Sequence, residues 1–140
     1  PVLVNDRPDV ALLTGCGVHL GPDDLPVDLA RRILPEAIIG ASVGSAAEAP
    51  AGAAADYWGI GPWRTTGTKA DAGAAIGAEG FGRIVKLAGG RPCVAIGGVR
   101  PEDVDAVLAA GGVGVAVVSG ILDAEDVEAA AREYARRLGL

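Results

Sequence analysis

Short β-branched runs alternate along this chain with Ala-rich stretches whose apolar residues recur at helical spacing. That alternation is the pattern of repeated βα units around a parallel sheet. It predicts strands at Val2–Val4, Gly17–Leu20, Ile38–Ser42, Tyr57–Ile60, Cys93–Ile96 and Gly114–Val118. Between and after them it predicts helices over Pro8–Leu13, Val27–Leu34, Ala46–Ala54, Gly77–Leu87, Pro101–Ala110 and Ala124–Leu138. Pro101-Glu-Asp103 is a helix start signal, with Pro in the first turn and acids that complement the helix dipole, and Ala109-Ala-Gly-Gly112 is the matching stop. Val113-Gly-Val-Ala-Val-Val118 is apolar almost without interruption, as a parallel strand is when both of its faces are covered.

This pattern favours a barrel or a doubly wound sheet. Turns rich in Gly or Ser follow the last two strands, at Gly97-Gly98 and Ser119-Gly120, where (β/α)8 barrels commonly hold phosphate. The expectation is therefore an α/β fold, a TIM (β/α)8 barrel with about six of its eight βα units present. No linker or composition break divides the chain, so residues 1–140 are read as a single, partial TIM-barrel domain. The opening Pro1-Val-Leu-Val-Asn5 already reads as strand interior, with no Met and no turn before it, and suggests that the start of the protein is missing.

Composition narrows the function classes. At 140 residues and 50% apolar content the chain can bury a core of its own. A net charge of −6 with no basic stripe argues against nucleic acid or an anionic membrane surface as partner. An anionic small substrate then needs local help from Lys, backbone N–H groups or a divalent metal. Cys16 and Cys93 are too few for a disulfide scaffold and too widely spaced for a metal motif, which suits small core residues in a reducing compartment. With no span-length apolar run and no leader pattern, the cytoplasm is the expected location.

The loop after Asp56-Tyr-Trp-Gly-Ile60 carries the densest chemistry: Gly61-Pro-Trp-Arg-Thr-Thr-Gly-Thr-Lys-Ala-Asp71. Thr65, Thr66 and Thr68 offer hydroxyls, Gly67 lets backbone N–H groups approach a ligand, and Lys69 supplies a mobile charge suited to phosphate. A solvated loop is the plain alternative, and the two Gly or Ser turns after later strands weigh against it. Functional residues of a barrel sit at the carboxyl ends of its strands. That rule singles out Asn5-Asp6, the Gly21-Pro-Asp-Asp24 turn, Ser42, Thr66 to Lys69, Gly97-Gly98 and Ser119. Asp6 and Asp24 would share one rim, and two carboxylates facing phosphate suit Mg2+, which takes hard oxygen ligands. Alternatively Asp6 starts a turn and Asp23 or Asp24 caps the helix near Leu25. His19, the only His, reads more simply as a packed strand residue than as a catalyst. Trp58 reads as core, Trp63 as a residue lining the pocket, and Asp56 as a turn residue at the opposite end.

In order and nearly in register, these segments resemble the thiamine phosphate synthase family. The resemblance rests on Asn5-Asp6-Arg7, Val18-His-Leu-Gly-Pro-Asp-Asp24-Leu-Pro26, Ile39-Gly-Ala-Ser42, Asp56-Tyr57 with Gly61-Pro62, Thr66-Gly-Thr-Lys69-Ala-Asp71, Ala95-Ile-Gly-Gly98 and Gly114-Val-Ala-Val-Val-Ser119. It covers essentially the whole chain. It implies a transferase that joins 4-amino-2-methyl-5-hydroxymethylpyrimidine pyrophosphate to thiazole phosphate, releasing pyrophosphate and forming thiamine phosphate through a pyrimidine carbocation. By motif, Asp6 and Asp24 would hold Mg2+, and Asn5 and Lys69 would contact the pyrimidine pyrophosphate. Ser42 would lie beside the reacting carbon, which with Lys69 makes it a catalytic candidate. Thr66, Gly67, Thr68, Gly98, Val118 and Ser119 would meet the thiazole phosphate.

The chain departs from the family pattern in identifiable places. Pro22 stands where the family has Gln, one residue is deleted between Asp6 and His19, and Arg64-Thr65 replaces an aromatic-Pro pair. Val43-Gly-Ser45 replaces Thr-His-Thr, and the absent His disfavours the related thiazole tautomerase. The family's first two βα units, with a Gln-x-Arg-x-Lys pyrophosphate segment, have no counterpart. The remaining strands would expose two sheet edges, to be covered by the missing amino-terminal segment or by self-association. Weak or no activity is expected of this chain alone, and a noncatalytic phosphate-binding module is the alternative from outside the enzymes.

Overall fold

Six parallel strands lie side by side in chain order: β1 (Leu3–Asn5), β2 (Gly17–Leu20), β3 (Ile39–Ser42), β4 (Tyr57–Ile60), β5 (Cys93–Ile96) and β6 (Gly114–Ala116). The computed structural model describes residues 1–65 and 74–140. The helices are α1 (Pro8–Thr14), α2 (Val27–Ile33), α3 (Gly77–Val85), α4 (Val104–Ala109), α5 (Ser119–Leu122) and α6 (Val127–Leu138), with a 3-10 turn at Pro101–Asp103 leading into α4. The sheet is an open part of a (β/α)8 barrel, in which β1 and β6 each pair with one neighbour among the described residues. Among the described residues no helix is long and apolar enough to cross a membrane.

Alternation along each strand sends one set of side chains under the helices and the other to the concave face. Val18, Leu20, Ile39, Ala41, Trp58, Ile60, Cys93 and Ala95 form the helix-side set and are buried. With Phe81 and Ile84 of α3 and Val107 of α4 they make one continuous core. The strand pairing aligns Asn5, His19, Gly40 and Tyr57 in one row of the concave face, and Ser42, Gly59, Val94 and Gly114 in the next. These inner positions are less uniformly buried, because the sheet does not close over them.

The same openness corrects one expectation. Val113-Gly-Val-Ala-Val-Val118 is not covered on both faces: Val113 and Val118 are exposed and the strand ends at Ala116, because β6 lies at the sheet edge. A second correction concerns Ala46–Ala54, which forms a series of turns and not a helix. Pro50 has no N–H to continue a helical ladder, and most of the bonds formed instead run three residues back, as from Ala51 N–H to Glu48 O (3.0 Å) and from Ala53 N–H to Pro50 O (3.2 Å). Gly52 is then seated under Trp58, where a Cβ would come within 2.7 Å of Trp58 Nε1. The short helix α5 lies outside the expected set, and Ser119 is its first residue.

At the amino-terminal ends of the strands, charged residues tie the connections together. Arg31 of α2 donates to Ala37 O (2.7 Å) and to Asp56 Oδ2 (2.6 Å), and the same oxygen accepts from Ile39 N–H (2.7 Å). Burial works against ionisation of Asp56, yet the Ile39 N–H and the Arg31 guanidinium together hold its carboxyl below the usual range. Asp56 is therefore a clasp between β3 and β4, at the end of the sheet opposite the expected site. Arg91 lies over the Trp58 ring at 5.1 Å from its centroid and donates to Ala55 O (2.6 Å) and Ala53 O (2.6 Å). Trp58 itself donates to Gly52 O (2.8 Å) from a fully buried ring. Trp58→Ala is expected to cost about 3–5 kcal/mol, from the cavity and the orphaned Gly52 carbonyl, and Trp58→Phe less than half as much, as read by urea unfolding.

Candidate functional site

The carboxyl ends of β1 and β2 bring Asn5, Asp6 and Asp24 to one rim. Asn5 ends β1 in register with His19, and Asp6 follows it in the left-handed region at φ 59°, which Asp tolerates better than most residues. Its N–H donates to His19 O (2.9 Å), so the turn out of β1 is fastened to β2. Two residues after His19 the chain turns again, and Gly21 N–H donates to Asp24 Oδ2 (2.6 Å). The Asp24 carboxylate thus locks its own turn and does not cap a helix: α2 begins at Val27, with Pro26 at its N-cap and no side-chain cap. That bond uses one of two carboxylate oxygens, which leaves a hard-oxygen donor at the rim shared with Asp6. Among the described residues no group of three or more His, Cys, Asp or Glu converges as a metal site.

Ser42 closes β3 and is joined to the preceding and following strands. His19 Nε2 lies 3.0 Å from Ser42 Oγ, and His19 Nδ1 lies 2.9 Å from Tyr57 Oη. One side of the neutral imidazole donates and the other accepts, so the ring relays orientation from the phenol to the serine hydroxyl. Burial raises the Tyr57 pKa, which keeps the phenol protonated and able to take part. Gly40 makes room for this relay: a Cβ there would sit 2.2 Å from Tyr57 Cζ and 2.5 Å from His19 Nδ1. His19 is thus more than packing, since both ring nitrogens bridge polar partners on different strands. Tyr57 was not singled out from sequence. Its one available signal is the shared row of His19, Gly40 and Tyr57, which needs the strand register to be seen.

The loops after β4 and β5 continue the pairing of their strands. Trp63 N–H donates to Ile96 O (2.8 Å) and Arg64 N–H to Gly97 O (2.9 Å). Gly97 and Gly98 take φ of 89° and 67°, and a Cβ on Gly98 would come within 3.1 Å of Arg64 Cβ. Gly98 therefore lies directly against the root of the Thr-rich loop. Trp63 does not line a pocket as expected: it is buried, with its ring edge-on to Phe81 at 5.6 Å between centroids. Pro62 is joined to Gly61 by a cis bond, at the point where the chain turns inward to bury Trp63. Tyr134 of α6 donates to Val99 O (2.9 Å), holding the far side of the Gly97-Gly98 turn. Val118 and Ser119 are exposed beyond β6. Thr66, Gly67, Thr68 and Lys69 lie outside the described residues.

Asp103, expected only to complement a helix dipole, is the buried acid of this region. Arg64 Nε donates to its Oδ2 (2.9 Å) while Nη2 pairs with Oδ1, and Arg100 N–H donates to Oδ2 (2.8 Å). Burial pushes its pKa up, but the Arg64 guanidinium, the Arg100 N–H and the Trp63 indole outweigh burial and hold it below the usual carboxylate range.

The whole chain can now be set beside known proteins. Residues 1–121 match the family model described as thiamine monophosphate synthase. The chain belongs to that family. It is 52% identical over 136 residues to a thiamine-phosphate synthase of Azorhizobium caulinodans, covering 94% of this chain and 64% of that protein. A solved thiamine phosphate pyrophosphorylase from Pyrococcus furiosus superposes with a TM-score of 0.85 at 42% identity, over 98% of this chain and 66% of that one. A structure described as native KDPGal superposes with a TM-score of 0.68 at 20% identity, a likeness of fold alone. The chain thus spans just under two thirds of the length of these family members.

Two predictions follow from this geometry. Gly40→Ala is expected to force Tyr57 off His19 and to cost about 1–3 kcal/mol in urea unfolding. Asp103→Asn is expected to lower stability by about 1–3 kcal/mol at neutral pH. Because the folded pKa of Asp103 is depressed, its contribution is complete above the unfolded value near about 3.9 and is lost as pH falls through the folded value. The gap between wild type and variant in thermal midpoint should therefore close as pH falls below about 4.

Proposed function

We propose that this chain belongs to a thiamine phosphate synthase, a transferase. It would condense 4-amino-2-methyl-5-hydroxymethylpyrimidine pyrophosphate with thiazole phosphate to give thiamine phosphate and pyrophosphate. The observation that carries this reading is the gathering of Asn5, Asp6, Asp24, Ser42 and Gly98 at the carboxyl ends of β1, β2, β3 and β5 in a chain of this family. Residues 1–140 act in this reading as one partial-barrel catalytic domain. Its partners are the two small-molecule substrates, with no role for nucleic acid or membrane, and its setting is the cytoplasm.

The residues divide by substrate. Asn5, Ser42 and Lys69 serve the pyrimidine pyrophosphate, and Thr66, Gly67, Thr68, Gly98, Val118 and Ser119 serve the thiazole phosphate. Asp6 and Asp24 would hold Mg2+, and the hard-oxygen character of the rim they share fits that ion. Bound there, Mg2+ would supply charge stabilisation for the departing pyrophosphate. Lys69 supplies a second positive charge to the leaving group. Ser42, oriented through His19 and Tyr57, offers its hydroxyl dipole beside the carbon that becomes cationic. Nothing in this scheme calls for a nucleophilic side chain or a strong general base. Gly44 in place of a His gives no support to the thiazole tautomerase alternative.

Pyrophosphate release from the two substrates tests the reading, with Mg2+ and then with EDTA, in the chain extended to the full length of its relatives and in residues 1–140 alone. The extended protein is expected to form thiamine phosphate only with Mg2+. Asp6→Ala or Lys69→Ala should lower kcat at least about 100-fold. Substrate binding without pyrophosphate release by the extended protein would replace the synthase with a phosphate-binding module.

A further inference from the structure

Three polar side chains of the concave face are joined by hydrogen bonds that climb from the interior of the sheet to its rim. Tyr57 begins β4 and pairs in register with Gly40, whereas Ser42 ends β3 and pairs with Gly59, two residues further along. The phenol therefore lies one layer below the serine, and His19 connects the layers through Nδ1 and Nε2. Two glycines seat the ring. A Cβ on Gly40 would come within 2.5 Å of His19 Nδ1, and one on Gly59 within 3.1 Å of Cε1. Turning the ring over would put carbon where each nitrogen now meets an oxygen.

The direction of the protons is set at the lower end. Burial raises the Tyr57 pKa, so the phenol keeps its proton. Among the described residues, His19 Nδ1 is the hydrogen-bond partner of that hydroxyl. If Nδ1 carried a proton, the phenol would have to accept it, and its own O–H would be left half-buried with no acceptor among them. The phenol therefore donates to Nδ1, the ring proton sits on Nε2, and Nε2–H donates to Ser42 Oγ. That leaves the Ser42 O–H to point away from His19, at the carboxyl end of β3. Bonds running in one direction polarise one another, which strengthens the last donor. In the opposite direction Ser42 would spend its proton on Nε2 and present only lone pairs, the wrong polarity for a phosphate oxygen.

We propose that Tyr57 is a positioning residue: it fixes the tautomer of His19 and thereby makes the Ser42 hydroxyl a hydrogen-bond donor to the pyrophosphate-bearing substrate. The proposal rests on the synthase reading for the identity of that substrate, whereas the proton arrangement rests on the three side chains alone.

The test uses the extended protein at about pH 8, above the ordinary imidazole range. Long-range proton–nitrogen NMR correlations, assigned to His19 by their loss in His19→Gln, read which ring nitrogen holds the proton. Wild type is expected to hold it on Nε2, and Tyr57→Phe to gain a clear share of the Nδ1–H form. Pyrophosphate release is measured beside it. Tyr57→Phe is expected to lower kcat/KM for the pyrimidine pyrophosphate about tenfold and to leave KM for thiazole phosphate within about twofold. In a Ser42→Ala background the same substitution should have at most about a twofold effect, whereas a merely structural loss would appear in full in both backgrounds. His19→Gln, whose amide can donate to Ser42 with no tautomer to choose, should keep at least about threefold more activity than His19→Ala. That comparison, with the wild-type tautomer, carries the test if Tyr57→Phe fails to fold. An Nδ1–H tautomer in wild type, an unchanged tautomer in Tyr57→Phe, equal losses with and without the Ser42 hydroxyl, or equal activity of His19→Gln and His19→Ala would overturn the proposal. Failure of the synthase reading looks different: the tautomer shifts in Tyr57→Phe, but wild type forms no thiamine phosphate.

Discussion

The register of the six parallel strands is the constraint on which the rest of this structure depends. With pairing fixed residue by residue, period-two alternation sends Val18, Ile39, Ala41, Trp58, Cys93 and Ala95 beneath the helices. The same pairing leaves His19, Gly40 and Tyr57 in one inward row. A slip of one residue would exchange the two sets, exposing the core and burying the polar row. Core and site are therefore two readings of one hydrogen-bond ladder. The His19 relay needs both the ladder and the missing side chain at Gly40, because three residues on three strands must bring a phenol and an imidazole together across the middle one.

Much of this was legible in the sequence. Five strands, β1 to β5, fall within one residue of their expected limits, and β4 and β5 are short apolar runs bounded directly by Asp56 and Gly61 and by Pro92 and Gly97. The carboxyl-end rule then placed Asp6, Asp24, Ser42 and Gly98 at one rim without any coordinates. Failures arose where a local pattern met a tertiary demand. Ala46–Ala54 has the composition of a helix, but Pro50 breaks the ladder and Gly52 is taken up by the Trp58 ring. Val113–Val118 has the composition of a buried strand, but its position at the sheet edge leaves its ends exposed.

Two residues escaped the sequence reading for a deeper reason. Asp103 looked like any first-turn acid, and Trp63 like a loop aromatic lining the pocket. Their roles depend on partners 39 residues apart for Arg64 and Asp103, and on a ring contact with Phe81 for Trp63. No periodicity encodes such pairs, since they form only when consecutive βα loops are stacked at one end of the sheet. The same holds for Arg31 and Asp56 at the other end.

The two ends of the sheet use ionic groups in different ways, and the difference bears on function. At the amino-terminal end, Arg31 and Arg91 satisfy backbone carbonyls and stack on Trp58, which closes connections whose geometry has only to be stable. At the carboxyl end, backbone N–H groups are drawn together by carboxylates, as Asp24 does for Gly21 and Asp103 for Arg100. Each such bond holds a turn in shape with the acid's own charge, and the remaining charge is shared with Arg64 in one case and left at the rim in the other. In a chain of net charge −6 these carboxylates act by local arrangement. At Asp103 the acid is buried and paired, whereas at Asp24 one carboxylate oxygen is left over.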